Sequence, residues 1–105
     1  MKKINYLKSA KRTINLESEA LKKVAKSLNK NFSALCESLL NSKGRIICLG
    51  VGKSGHIANK TSATLSSTGS PAFFVNAGEA MHGDVGAITK NDSVIIFSHS
   101  GESDE

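Results

Sequence analysis

The stretch Ile46–Lys60, IICLGVGKSGHIANK, decides the fold. Its first four residues are wholly apolar, which suits a short strand buried on both faces. A glycine turn carrying Lys53 and Ser54 follows, and His56–Ser67, rich in Ala, Leu and Thr, reads as a helix. Two further apolar runs, Ala72–Val75 and Ser93–Phe97, read as buried strands as well. Strands alternating with helical or irregular connections imply an α/β fold with a parallel sheet and right-handed crossovers. Such sheets bind ligands beyond the carboxyl ends of their strands. The loops Gly50–Gly55 and Ser98–Ser103 both leave strands at that edge, so they are expected to face one pocket.

Upstream of Ile46 the pattern is helical. Apolar residues recur at Leu21, Val24, Ala25, Leu28, Phe32, Leu35, Cys36 and Leu39, in steps of three and four. Asn29-Lys30-Asn31 breaks the stripe into two helices, with Asn31 the expected N-cap of the second. Gly44 is the expected left-handed residue closing it. The chain thus divides into a helical region, 1–44, and an α/β region, 45–105. Asn76–Lys90 is expected to be irregular, with a short helical piece at Gly78–His82.

Composition narrows the class. Hydrophobic residues make up 39% and charged residues 22% of the 105, as in a soluble globular domain. No apolar run is long enough to span a membrane, and none follows the basic start as in a secretory signal. Cys36 and Cys48 form no C-x-x-C pair, so the expectation is a reduced, cytoplasmic protein with both thiols in structural roles. The net charge of +5 is uneven: residues 1–45 carry +8 and residues 46–105 carry −3. The scattered lysines lack interleaved aromatics to stack on bases, so a solvated helix face is expected and nucleic acid is not the expected partner.

The glycine turn has three readings. Gly50, Gly52 and Gly55 fit G-x-G-x-x-G, the dinucleotide fingerprint. That motif wants an acid near the end of the second strand, and the residues after Val75 are Asn76-Ala77-Gly78. A P-loop fails because its first glycine would fall on Ile47. What remains is a phosphate-holding turn of backbone N–H groups, with Lys53 as a point charge and Ser54 as a hydroxyl donor or helix cap. The second loop adds Ser98, Ser100 and Ser103, with Gly101 allowing close approach of a ligand. His82 sits in a glycine-flanked polar cluster with Glu79 and Asp84. A catalytic acid/base role, substrate contact and a hydrogen bond to its own loop are all open for it. His99 lies in the serine loop beside the expected pocket. No spacing supports a metal site.

The combination of GKSGH, STG-P-FFV, GEAMHGD and SGES, within residues 31–105, closely resembles the sugar isomerase (SIS) domain of bacterial arabinose-5-phosphate isomerases. The resemblance implies a three-layer α/β/α sandwich around a parallel sheet, preceded by helices. It implies interconversion of D-arabinose 5-phosphate and D-ribulose 5-phosphate, which feeds Kdo synthesis for lipopolysaccharide or capsule, with no cofactor. The family's motif lysine falls on Lys53 and its phosphate-binding turns on Gly52, Ser54, Ser98, Ser100, Gly101 and Ser103. Its catalytic glutamate falls on Glu105, and His82 matches a histidine near the site. A glutamate base moves a proton between adjacent carbons through an enediol, and a lysine steadies the developing oxyanion. Asn76-Ala77, His99 and Asn59 stand where relatives have His-Pro, asparagine and arginine.

Family members continue past residue 105 with more of the sheet, a second catalytic glutamate, a catalytic histidine and usually two CBS domains, and they assemble as homo-oligomers. The 105 residues alone are therefore expected to form an incomplete sheet and to be inactive, or nearly so, as an enzyme. The rival expectation is a non-catalytic sugar-phosphate-binding module of the same fold.

Overall fold

The computed structural model describes residues 3–80, 82–102 and 104. The chain forms two compact units, Met1–Cys36 and Glu37–Glu105. In the first, helix α1 spans Tyr6–Ser27. Asn5 caps it, its side chain accepting the Lys8 N–H at 3.0 Å, and Lys26 in the last turn complements the dipole. The apolar stripe of α1 contributes no buried residue; Leu7, Ile14 and Leu21 are all more than 60% exposed. Helix α2, Lys30–Leu40, begins one residue before the expected cap Asn31. Asn29 does the capping instead, its side chain accepting the Asn31 N–H at 2.8 Å.

The last turn of α2 belongs to the second unit because Leu39 packs against that unit's core. A boundary after residue 44 divides the chain by local pattern; the boundary after Cys36 divides it by contact. Gly44 has no positive φ and so is no left-handed cap. A glycine is required there by space: a Cβ would stand 2.5 Å from the Asn91 carbonyl oxygen and from the Asp92 carboxylate.

The α/β unit is built on three parallel strands, β1 (Ile46–Gly50), β2 (Ala72–Asn76) and β3 (Ser93–Ile96), in the order β2-β1-β3. Ile46 pairs with Ala72 on one side and Ser93 on the other, and the register runs on without slip. Helix α3 (Gly52–Ser67) connects β1 to β2. The short helix α4 (Ala77–Ala80) and a 3-10 turn (Asp84–Ala87) lie on the return to β3. The chain moves off β1 to one side and comes back to its other side. With right-handed crossovers, the two connections therefore cover opposite faces.

That arrangement explains the core. Ile46 and Cys48 face α3 and meet Ala58, with Leu65, Phe74, Ile95 and Phe97 packed around them. Ile47, on the other face of β1, is fully buried too. Burial also pushes the Cys48 thiol pKa up, keeping it protonated and inert. β3 departs from the expected fully buried strand. Its residues alternate: Ile95 packs on the α3 side, while Val94 and Ile96 (71% exposed) lie on a face that no described element covers.

The amino-terminal edge of the sheet is held by Asp92. Its carboxylate accepts the backbone N–H groups of Arg45 and Thr89, both at 2.7 Å, and the Thr89 hydroxyl at 3.1 Å. The Arg45 guanidinium lies 3.6 Å away, 4.6 Å over the Phe73 ring, and donates to the Ala87 carbonyl. The Thr89 and Arg45 N–H bonds hold the Asp92 carboxyl below the usual aspartate range. Ionised Asp92 thus favours the folded state. Its contribution is complete above about pH 4, the ordinary value for an unfolded aspartate, and is lost as pH falls through the lower folded value. Asp92→Ala should lower the melting temperature at neutral pH by several degrees. It should also shrink the fall in melting temperature on acidification, measured by circular dichroism between neutral and strongly acid pH.

Candidate functional site

The glycine turn is where β1 becomes α3. Gly50 and Gly55 let the strand end and the first helical turn touch. A Cβ on Gly50 would stand 2.8 Å from the Ser54 carbonyl oxygen, and one on Gly55 3.1 Å from the Gly50 carbonyl oxygen. Gly52 takes φ +60°, a left-handed conformation that suits glycine. The helix therefore starts at Gly52, four residues before the apolar period begins. Its first N–H groups have no intrahelical partner and carry the positive end of the helix dipole.

At the far end of β3 the chain turns sharply. The Ser98 hydroxyl oxygen accepts the Gly101 N–H at 2.8 Å, and the Ser100 hydroxyl oxygen accepts the Glu102 N–H at 3.1 Å. Each oxygen is fixed by an incoming N–H, which leaves its own proton free to donate. A phosphate dianion has acceptors and no donors, so two such hydroxyls suit it.

These two turns share one cleft of about 390 Å³, within the range of about 300–1,000 Å³ usual for small-molecule sites. Its walls are Leu49–Val51 and Ser54 from the first turn, Ile96–Gly101 from the second, and Ala77 at the start of α4. It lies beyond the carboxyl ends of β1 and β3, at the point where the sheet is entered from both sides of the central strand β1. That is the topological switch point, where open α/β sheets bind ligands. A depression of about 690 Å³ along α1 is larger, but one helix and the residue before it line it, so it has no facing wall.

The family model of the SIS domain matches residues 38–105. This chain belongs to the SIS-domain family. The arabinose 5-phosphate isomerases KdsD of Pseudomonas aeruginosa and Francisella tularensis are similar to this SIS chain, at 47% identity over 102 residues and 50% over 104. The matches take in 97% and 96% of this chain but 31% and 32% of those proteins, so the chain spans about a third of their length. A protein of E. coli CFT073, solved in complex with arabinose 5-phosphate, superposes with a TM-score of 0.91 at 41% identity, over 98% of this chain and 55% of that one. The α/β/α architecture with N-terminal helices is thereby shown, here as an incomplete three-stranded part of the sheet.

Of the residues singled out from the SIS motifs, Ser54, Ser98, Ser100 and Gly101 line the cleft. Gly52 and Lys53 belong to the same turn but are not in its wall, and Lys53 is exposed. Consecutive helical residues point about 100° apart, so Lys53 and Ser54 cannot face one cleft equally. His82 is exposed and lies outside the wall. Ser103 and Glu105 lie outside the described residues. The cleft also takes Ala77, Phe97 and Ile96, which the sequence marks as apolar core or connection. The signal that would have found Ala77 is Asn76: its side chain accepts the Gly78 N–H at 2.9 Å and turns the chain at the end of β2. Among the described residues no helix is long and apolar enough to cross a membrane.

Gly50→Ala tests the geometry on which the cleft depends. The added methyl meets backbone, so the variant should be destabilised by about 1–3 kcal/mol, the usual cost of overpacking. Urea denaturation monitored by circular dichroism measures it.

Proposed function

We propose that this chain forms the phosphate-holding part of an aldose–ketose isomerase acting on D-arabinose 5-phosphate and D-ribulose 5-phosphate. One observation carries the reading: the turns after β1 and β3, with their glycines and serine hydroxyls, line the same cleft. Similarity to the KdsD enzymes and to the E. coli protein in complex with arabinose 5-phosphate supplies the substrate class. The product sugar phosphate would enter Kdo synthesis in the cytoplasm.

The assignment of roles follows the chemistry. Ser98, Ser100 and Ser103 hold the phosphate with Gly101, Gly52 and Ser54, so that its binding energy orients the reacting end of the sugar. Lys53 neutralises the oxyanion that develops as the proton moves between adjacent carbons. Glu105 is the base in this reading, and His82 assists near the site. The assembly is a homo-oligomer.

A second reading is a sugar-phosphate-binding module without turnover. It is favoured by the cleft wall, which among the described residues contains no carboxylate. Titrating the chain with arabinose 5-phosphate, while following binding by calorimetry and ribulose 5-phosphate formation by a coupled assay, separates the two. Turnover supports the isomerase; saturable binding without turnover supports the module; absence of binding removes both. Ser98→Ala and Ser100→Ala should each weaken binding about tenfold, the worth of one hydrogen bond to a charged group. Lys53→Ala should reduce turnover more than affinity.

A further inference from the structure

Among the described residues, the cleft wall contains hydroxyls, backbone and apolar groups, and a single histidine, His99. We infer that His99, between the two phosphate-facing serines, supplies the cationic contact to the bound anion and makes its affinity depend on pH. The inference rests on the reading of the cleft as a phosphate site, and it shifts the charge recognition from Lys53 to the second turn.

Ser98 and Ser100 are fixed by the N–H groups of Gly101 and Glu102, and these two bonds hold the backbone on either side of His99 at the cleft mouth. His99 is itself exposed, so protons reach it directly from solvent. The surrounding elements bring other charged or titratable groups: Lys53 and His56 on the first turns of α3, Glu79 on α4, His82 and Asp84 after it, and Glu102 and Asp104 on the same loop as His99. None of these lines the cleft. Among the described residues of the wall, an anion bound there meets dipoles and hydroxyl protons at every pH, but a full positive charge only when His99 is protonated. Histidine is the side chain that gains charge between about pH 8 and pH 5. Protonation should therefore tighten anion binding.

Sulfate is the probe, because it stays a dianion over this range whereas the phosphate of a sugar phosphate itself titrates near pH 6. Sulfate should bind the full chain about fivefold tighter at pH 5.5 than at pH 8, the scale of one solvent-exposed charge contact. In proton NMR the His99 ring signal, identified by its loss in His99→Gln, should move when sulfate is added at pH 5.5. His99→Gln should bind sulfate with the weaker affinity at both pH values, and His56→Gln should keep the wild-type pH dependence. Equal pH dependence in wild type and His99→Gln, an unmoved His99 signal, or transfer of the effect to His56→Gln would overturn the inference. Those results would leave the phosphate site standing if arabinose 5-phosphate still binds. Failure of both sulfate and arabinose 5-phosphate to bind at any pH overturns the site and this inference together.

Discussion

Gly50 and Gly55 bring the end of β1 into backbone contact with the first turn of α3. No other residue fits at Gly50 without moving the helix, because the atoms in the way are main chain. This contact fixes the angle at which α3 leaves the sheet. It therefore fixes how Ala58 settles on Cys48 and Ile46, the buried core on that face. It also aims the partnerless N–H groups of α3 along the carboxyl edge of the sheet. Packing and ligand geometry are two consequences of one close approach.

The sheet supplies the second wall. Because β1 is central and its two neighbours lie on opposite sides, the α3 and α4 connections diverge and leave a gap at the strand ends. The β3 loop closes that gap from the other side. At the opposite edge the segments are tied together by side chains. There Asp92 ties the segments before β1 and β3 together, and the Ser66 hydroxyl donates to the Ala72 carbonyl at 2.7 Å, pinning the end of α3 to the start of β2. The sheet is clamped at one edge and open at the other, which is the layout a ligand site at the strand ends needs.

Much of this is legible locally. The apolar run Ile46–Leu49 marks β1, and Thr68–Pro71 marks the turn before β2, because both signals lie within a few residues. Ser54, Ser98, Ser100 and Gly101 are readable as cleft residues for the same reason: each sits in a strand-exit turn. What stays hidden depends on partners far along the chain. Gly44 looks like a helix cap until Asp92, 48 positions later, occupies the space where its Cβ would stand. The bare face of β3 is invisible in Val94-Ile95-Ile96, since an apolar strand reads alike whether one or two of its faces are covered. Lys53 draws attention by charge, yet helical phase turns it away from its neighbour Ser54.

The cleft separates two tasks that catalysis of an aldose–ketose exchange would combine. Holding an anion needs donors and a positive field; the donors on offer, the first N–H groups of α3 and the Ser98 and Ser100 hydroxyls, come from short, local segments. Moving a proton needs a base within hydrogen-bond reach of the sugar carbons, on the side of the ligand away from its phosphate. The described wall offers hydroxyls, apolar surface and one imidazole, with no carboxylate. The described wall is thus sufficient in chemistry for recognition, while a carboxylate base would have to approach from outside it. A fold of this kind can keep these two walls unchanged while a reactive group is supplied separately, because Gly50, Gly55 and the Ser98 turn shape them through local contacts.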